Sequence, residues 1–260
     1  MIEVFLPSDK LTVKKFYIKE KYIFPIINSV IDGLQAGKIF IDNIKNPQSA
    51  FVLHNFGWSQ IFGKNNPEFL IKLKKYILVD RLYPSLKIRN YTPQNKYFFS
   101  NANAQISERC KFRIYKLDKK KYKISKKFKI KKINSDNCEK VNKDLKIDLF
   151  SRFWPSKLSF INNSFGFLIE YENSVVSVIY SCGIYENVHE IDVFTHEKFR
   201  GKGLARIVSE NFINRCLINN IIPNWDCFTN NEGSINLAKS LGYKKFLYPY
   251  KFYTVANKNY

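Results

Sequence analysis

Between His189 and Cys216 the chain reads HEIDVFTHEKFRGKGLARIVSENFINRC, and its local order changes twice within that stretch. Through Thr195 the pattern alternates as in a strand, with Ile191 and Val193 on one side and Asp192 and Phe194 on the other. Arg200, Gly201, Lys202 and Gly203 then make a short turn. Beyond it Leu204, Ile207, Val208, Phe212, Cys216 and Leu217 recur at helical spacing. A strand, a tight glycine turn and a helix can hold a phosphate group. The first N–H groups of a helix have no partner within it and sit at the positive end of its dipole. Gly201 and Gly203 let the backbone approach an oxygen with no Cβ in the way, and Lys202 and Arg206 add positive charge. Taken alone, so short a glycine turn also fits an ordinary helix start.

The elements around this segment alternate between helix and strand. Upstream are a strand at FKIKKI, a helix at NKDLKIDLFSRFW, and strands at GFLIEYEN and VVSVIYSCGIY, with a turn expected at Glu172–Ser174. Downstream are a strand at NWDCFT, a short helix at SINLAKSLG and closing aromatic strands. This is an α/β pattern whose middle is antiparallel. Residues 1 to about 115 read as mixed α/β as well. They hold a helix after Pro25 ended by Gly37, strands at KIFIDN and SAFVLHNFGW, and a helix at NPEFLIKLKKYILV. His54 has no acidic or Cys/His companion at catalytic or metal spacing and reads as structural. No internal sequence repeat and no Gly/Ser/Pro linker is found. The expected division is an N-terminal domain over 1–125 and a larger domain over 126–260.

A chain of 260 residues with 45 % apolar and 16 % aromatic residues can bury a sizeable core. It has neither a run of about 18 uncharged apolar residues nor a signal-peptide core, so a cytoplasmic location is expected. The cysteines (Cys110, Cys138, Cys182, Cys216 and Cys227) are odd in number, widely spaced and without a CxxC pair, which points to core thiols rather than disulfides or a metal site. The formal charge of +21 comes mostly from lysine, since only eight of the 43 basic residues are arginine. Arginine is the residue suited to bidentate phosphate and base contacts, so nucleic acid is not the expected partner. The densest run, Lys116 to Lys132, alternates lysine with Tyr122, Ile124, Phe128 and Ile130 and reads as hairpin-like strands with a solvated charged face.

The segment Arg200-Gly201-Lys202-Gly203-Leu204-Ala205 resembles the signature (Q/R)xxGx(G/A) of the GNAT superfamily of N-acetyltransferases, placed between a strand and the following helix as that superfamily requires. Asn231, Ser234, Leu237, Ala238, Leu241, Gly242 and Tyr243 resemble its second motif. Trp154 with GFLIEYENSVVS, EIDVFTHEKFRGKGLA and PNWDCFTNNEGSINLAKSLGY is similar to the GNAT family that includes the zwittermicin A resistance acetyltransferase. The resemblance implies a GNAT fold, a mixed, mostly antiparallel sheet flanked by helices and preceded by a smaller N-terminal domain. It implies acetyl-CoA as acetyl donor, no metal, and an amine-bearing acceptor. By the same resemblance the amides from Arg200 to Ala205 cradle the CoA pyrophosphate and the backbone of Phe194 and Thr195 meets the pantetheine arm. A bulge beside these two residues splays the strand from its neighbour. Asn231 and Ser234 complete the cofactor contacts, with helix capping as the alternative role for Asn231.

The reaction so implied is direct attack of an amine on the acetyl thioester. An amine with a pKa of about 10.4 must lose a proton first. Glu190 is the candidate base, with Asp192 on the same side of the strand; His189 and His196 flank the strand as solvated end residues. A backbone N–H near Phe194–Thr195 is the candidate oxyanion donor. The family's acid tyrosine is replaced by Ala238, leaving Ser234, Tyr243 or water. A free thiol has a pKa of about 8.5, so its thiolate leaves tolerably unaided. The acceptor is expected to be an amino-antibiotic or other small molecule. The alternatives are a protein or peptide amine, or an RNA- or CoA-binding module without turnover. The N-terminal domain has no RxxGxG of its own, so its expected role is to shape the acceptor pocket or an oligomer interface; the sequence leaves the oligomeric state open.

Overall fold

The computed structural model describes residues 1–20, 22–80, 85–90, 104–119, 124–246 and 249–256. The chain forms two compact units, Met1–Arg109 with Pro249–Tyr260, and Cys110–Tyr248. Among the described residues no helix is long and apolar enough to cross a membrane.

In the first unit β1 (Ile2–Glu3), β2 (Gly37–Ile41), β3 (Ser49–His54) and β4 (Trp58–Gly63) form an antiparallel ladder. β5 (Ser85–Asn90) runs parallel to β4. The C-terminal strand β13 (Tyr250–Ala256) pairs antiparallel with β5 and with the first half of β6 (Ala104–Ile114). Helices α1 (Pro7–Tyr17), α2 (Pro25–Ile31) and α3 (Pro67–Lys75) accompany this sheet, and α3 widens into a π turn over Tyr76–Asp80. Phe40, Phe51, Leu73, Ile77, Ile88 and Val255 are part of one buried cluster. The helix after Pro25 stops at Gly33 rather than at Gly37. Gly33 has φ 72°, its N–H bonds Val30 O, and Leu34 N–H bonds Ser29 O. This paired closure ends a helix on a left-handed glycine, which frees Gly37 to open β2.

In the second unit β7 (Phe128–Lys132), β8 (Gly166–Tyr171), β9 (Ser174–Tyr185) and β10 (Val188–Thr195) are antiparallel neighbours. β11 (Ile222–Phe228) is parallel to β10, and the second half of β6 follows it in strand order and pairs antiparallel with β12 (Tyr243–Lys245). The β8–β9 turn is Glu172–Asn173, with φ 46° and 66° at the two residues. That is the left-handed pair a two-residue hairpin demands. The single helix expected over 142–154 is broken. α4 (Cys138–Leu145) ends where Lys146 turns left-handed at φ 53°, and Asp148 caps α5 (Leu149–Phe153) by accepting from Ser151 N–H at 3.0 Å. α6 (Lys157–Asn163), α7 (Leu204–Ile218) and α8 (Glu232–Ser240) complete the unit. α7 packs Leu204, Val208, Phe212 and Cys216 against Ile169, Val176 and Ile179 of the sheet.

Among the described residues, the strands at either end of the lysine-dense stretch do not pair with each other. β6 pairs with β12 and β13, whereas β7 pairs with β8. Tyr122 lies outside the described residues, and the lysines of β7 are solvated. Their partner residues instead supply counter-charge: Lys131 pairs with Glu170 at 2.6 Å and Lys127 with Glu172 at 2.5 Å.

A repeat absent from the sequence is present in the topology. Each unit has four antiparallel strands, then a helix that crosses to a parallel fifth strand. In each, the parallel ladder spans the same short length: Trp58–Gln60 against Lys87–Arg89, and Val188–Glu190 against Ile222–Asn224. The turns between fourth strand and helix differ. In the first unit a Cβ on Gly63 would lie 2.2 Å from Gln48 O and 2.3 Å from the Phe16 ring, so that turn is packed shut. In the second unit nothing lies within 4 Å of a Cβ built on Gly201 or Gly203.

Candidate active site

The fork between β10 and β11 is the central feature of the second unit. Among the described residues their ladder covers Val188↔Ile222, His189↔Pro223 and Glu190↔Asn224 and goes no further. β10 continues for 191–195 and β11 for 225–228, so at about 3.3 Å per residue the strands part over roughly 16 Å. Against β9, Glu190 pairs with Gly183 and Ile191 with Ser181, which leaves Cys182 as an extra residue. The irregularity thus lies at Glu190/Ile191, with the extra residue on β9, and not beside Phe194–Thr195 as expected. The reason is pairing: Phe194 and Thr195 keep regular partners in Val178 and Ser177. Ser177 Oγ reinforces this end, 2.7 Å from Thr195 Oγ1 and 3.3 Å from Phe194 O.

Beyond Thr195 the chain makes a 3-10 turn over Glu197–Phe199, and the half-buried His196 accepts from Lys198 N–H at its start. Arg200 Nε donates back to Thr195 O at 3.2 Å, which ties the glycine turn to the strand. Gly201 and Gly203 both have φ 76°, a conformation that disfavours a side chain, and both are exposed. Gly203 is the N-cap of the fifteen-residue α7 and has no side-chain cap bond. Lys202 Nζ lies 4.9 Å from the centroid of the Phe199 ring. Leu204 is buried beneath the turn and Ala205 is half-buried. Open space, a left-handed glycine pair and a helix N-terminus therefore meet in one place, an arrangement with the chemistry to hold an anion.

Arg206 does not join them. It is buried, bonds Glu210 at 3.0 Å, and donates to Ser240 O and Asp118 O. One turn into the helix, its guanidinium points inward and serves as a clamp, so the turn's positive charge comes from Lys202, Arg200 and the helix dipole.

Along β10 the polar residues differ in burial and partners. Glu190 is 4 % exposed, at the base of the fork beside Asn224. Asp192 lies on the face of α5 and α6. It accepts from Tyr180 OH at 2.6 Å and pairs with Arg152 at 3.3 Å. Burial and the Asp192 charge push the Tyr180 phenol well above its usual range, so it stays a donor. His189 is buried against Phe165 rather than solvated, and burial lowers its pKa to about 4. It is a neutral core imidazole at neutral pH.

Asn231 caps α8, its side chain accepting from Ser234 N–H at 3.0 Å. Ser234 Oγ accepts from Trp225 Nε1 at 3.1 Å. Tyr243 is buried, donates to Pro223 O at 3.2 Å, and is held well above its usual pKa by burial. The raised pKa makes its hydroxyl a weaker acid than a free phenol. Ala238, on α8, is fully buried in the core. Arg152, Tyr180 and Asn224 were not singled out from the sequence. Asn224 carried a faint signal as a polar residue in a strand flanked by Ile222 and Trp225. Among the described residues no cluster of His, Cys, Asp and Glu is placed to hold a metal.

This fold coincides with what comparison finds. The family model described as GNAT acetyltransferase matches residues 16–253, and the chain belongs to that family. It is an acyltransferase of the GNAT class. An uncharacterised N-acetyltransferase of Bacillus subtilis, YdfB, is 27 % identical over 246 residues, covering 92 % of this chain and 94 % of its own. A GCN5-related N-acetyltransferase-like protein from Streptococcus suis superposes with TM-score 0.72 at 21 % identity, over 95 % of this chain and 98 % of that one. A tandem GNAT protein from the clavulanic acid biosynthesis pathway superposes with TM-score 0.65 at 10 % identity, over 98 % of each chain. The fold of both units is thus shared with solved GNAT proteins.

Proposed function

We propose that the protein transfers the acetyl group of acetyl-CoA to a primary amine of a small-molecule acceptor, an amino-antibiotic or a similar compound, by direct attack. The observation that carries this reading is the open glycine turn at the N-terminus of α7, set at the mouth of the β10–β11 fork. Amides from Arg200 to Ala205 would hold the pyrophosphate, helped by Lys202. The backbone of Phe194 and Thr195, free of β11 beyond the fork, would follow the pantetheine arm. Asn231 would reach it through Nδ2, because Oδ1 is committed to the cap. When bound, acetyl-CoA supplies the activated thioester.

Glu190 would take the proton of the attacking amine, directly or through water. Its place at the base of the fork puts it deeper than Asp192, whose carboxylate is already shared by Tyr180 and Arg152. A backbone N–H near Phe194–Thr195 would donate to the oxygen that gains charge as the nitrogen bonds to carbon and the C–S bond breaks. The departing thiolate would draw its proton from water.

The test is Glu190→Gln, which keeps shape and removes proton-accepting power. With a competent amine, thiol release should fall by about 10²–10⁴-fold, and the deficit should shrink as pH rises toward the amine's pKa. Asp192→Asn, the charge control, should lose far less. Near-normal turnover by Glu190→Gln at every pH would remove Glu190 from the role. A second reading, CoA binding without turnover, is favoured by the burial of Ala238 and Tyr243 in place of an acid. It predicts acetyl-CoA binding with no amine-dependent thiol release.

A further inference from the structure

We infer that Asn224 is a positioning residue for acetyl transfer, its side-chain amide holding the single water through which Glu190 takes the acceptor's proton. This rests on the proposed acetyl transfer with Glu190 as base. The observation behind it is a buried donor with no partner: Asn224 Nδ2 is shielded from solvent and makes no hydrogen bond. Such a group is costly to leave unpaired, and a buried orphan is commonly satisfied by an ordered water. Its position narrows the partner. Asn224 is opposite Glu190 in the parallel ladder, at the last step before the strands separate. Register partners on neighbouring strands are about 4.8 Å apart at the backbone and present side chains to the same face. A water accepting from Nδ2 and donating to the carboxylate spans about 5–6 Å, a little more than the backbone spacing of neighbouring strands.

The first unit has the corresponding register step, with Gln60 on the fourth strand where the second unit has Glu190. Gln60 stands opposite Arg89 there. Its amide donates to Tyr22 O at 3.2 Å and its carbonyl accepts from Tyr17 OH at 2.7 Å. In that unit the glycine turn is packed shut and the amide at the fork is satisfied by protein. In the second unit the turn is open, and the amide at the fork, Asn224 on the fifth strand rather than the fourth, has an Nδ2 that no protein group satisfies. Both differences fall where the chemistry would be.

In the step itself the amine N–H proton passes to the water oxygen while one water proton passes to the Glu190 carboxylate. The water is regenerated, and Asn224 N–H···O keeps its oxygen in place throughout. Asn224 itself gains and loses nothing.

The test compares the full-length protein with Asn224→Ala and Asn224→Asp, using acetyl-CoA titration, pH–rate profiles with an amine that supports turnover, and carboxyl-carbon NMR of Glu190. Both variants should bind acetyl-CoA as the native protein does. Asn224→Ala should lower kcat by about tenfold or more with the KM for acetyl-CoA unchanged. Asn224→Asp places a second carboxylate directly opposite Glu190 in the ladder, so the acid limb of kcat and the NMR titration of Glu190 should both move up by about one pH unit or more. If Asn224→Asp does not fold, Asn224→Ser removes the amide without adding charge and should reproduce the kcat loss. Native kcat in Asn224→Ala or Asn224→Ser, or an unmoved acid limb in a folded Asn224→Asp, overturns the inference while Glu190→Gln still impairs turnover. Native turnover in Glu190→Gln instead overturns the reading on which it stands.

Discussion

Replacing Gly203 by Asp probes the phosphate turn where the structure isolates binding from folding. No atom lies within 4 Å of a Cβ at this position, so the folded protein imposes no steric cost. What remains is the backbone: φ 76° is left-handed, and a side chain there costs about 1–2 kcal/mol. At about 2–4 °C per kcal/mol, the fall in Tm is roughly 2–8 °C. The effect on binding is electrostatic and larger. A carboxylate about 5 Å from a phosphate charge repels it by about 1 kcal/mol in bulk water and about 3 kcal/mol at an effective dielectric of 20. With tenfold in Kd per 1.4 kcal/mol, acetyl-CoA should bind about five- to 200-fold more weakly, and the Cβ's obstruction of close approach adds to this. Gly203→Ala separates the terms, since it carries the Cβ without the charge and should lose less. Calorimetric titration with acetyl-CoA, beside a melting curve for each variant, measures both. A folded Gly203→Asp protein with native affinity would refute the placement of the pyrophosphate at this turn.

Two further outcomes follow from groups that the site excludes. His189 is neutral in the fold with a pKa near 4, below the 6.5 of an unfolded imidazole. The unfolded state therefore binds more protons between these values, so stability is complete above about pH 6.5 and falls as the pH drops toward 4, by about 3 kcal/mol in all. His189→Phe should flatten that slope in urea midpoints taken at pH 7 and pH 5; an unchanged slope would mean the imidazole titrates normally. Tyr243→Phe should cost about 0.5–1.5 kcal/mol through the lost bond to Pro223 O and leave kcat unchanged. A steep loss of kcat would return Tyr243 to the chemistry.

The sequence exposed what local order encodes and hid what distant segments decide. The strand, glycine turn and helix over 188–218 could be read because alternation, a positive-φ glycine pair and helical spacing are each local signals. The Glu172–Asn173 hairpin was legible for the same reason. The end of α2 was misplaced because Gly33 and Gly37 are equally good stops on paper, and only the bonds from Gly33 and Leu34 choose between them. The role of Arg206 was misread because its inward direction depends on Ser240 and Asp118, 34 and 88 residues away. His189 looked like a strand end until Phe165 covered it. The repeated topology left no sequence trace, since the pairing of β4 with β5 and of β10 with β11 depends on parallel geometry rather than residue identity. β13 pairs with β5 and β6 across 141 to 171 residues, which no linear division of the chain anticipates.

A crystal structure of the protein with acetyl-CoA tests the central claim most directly. The account predicts the pyrophosphate against the amides of Arg200 to Ala205 and the thioester in the β10–β11 fork, with the Glu190 carboxylate and Asn224 amide at its base. Acetyl-CoA seated elsewhere, or at the turn with its thioester directed away from Glu190, would contradict it.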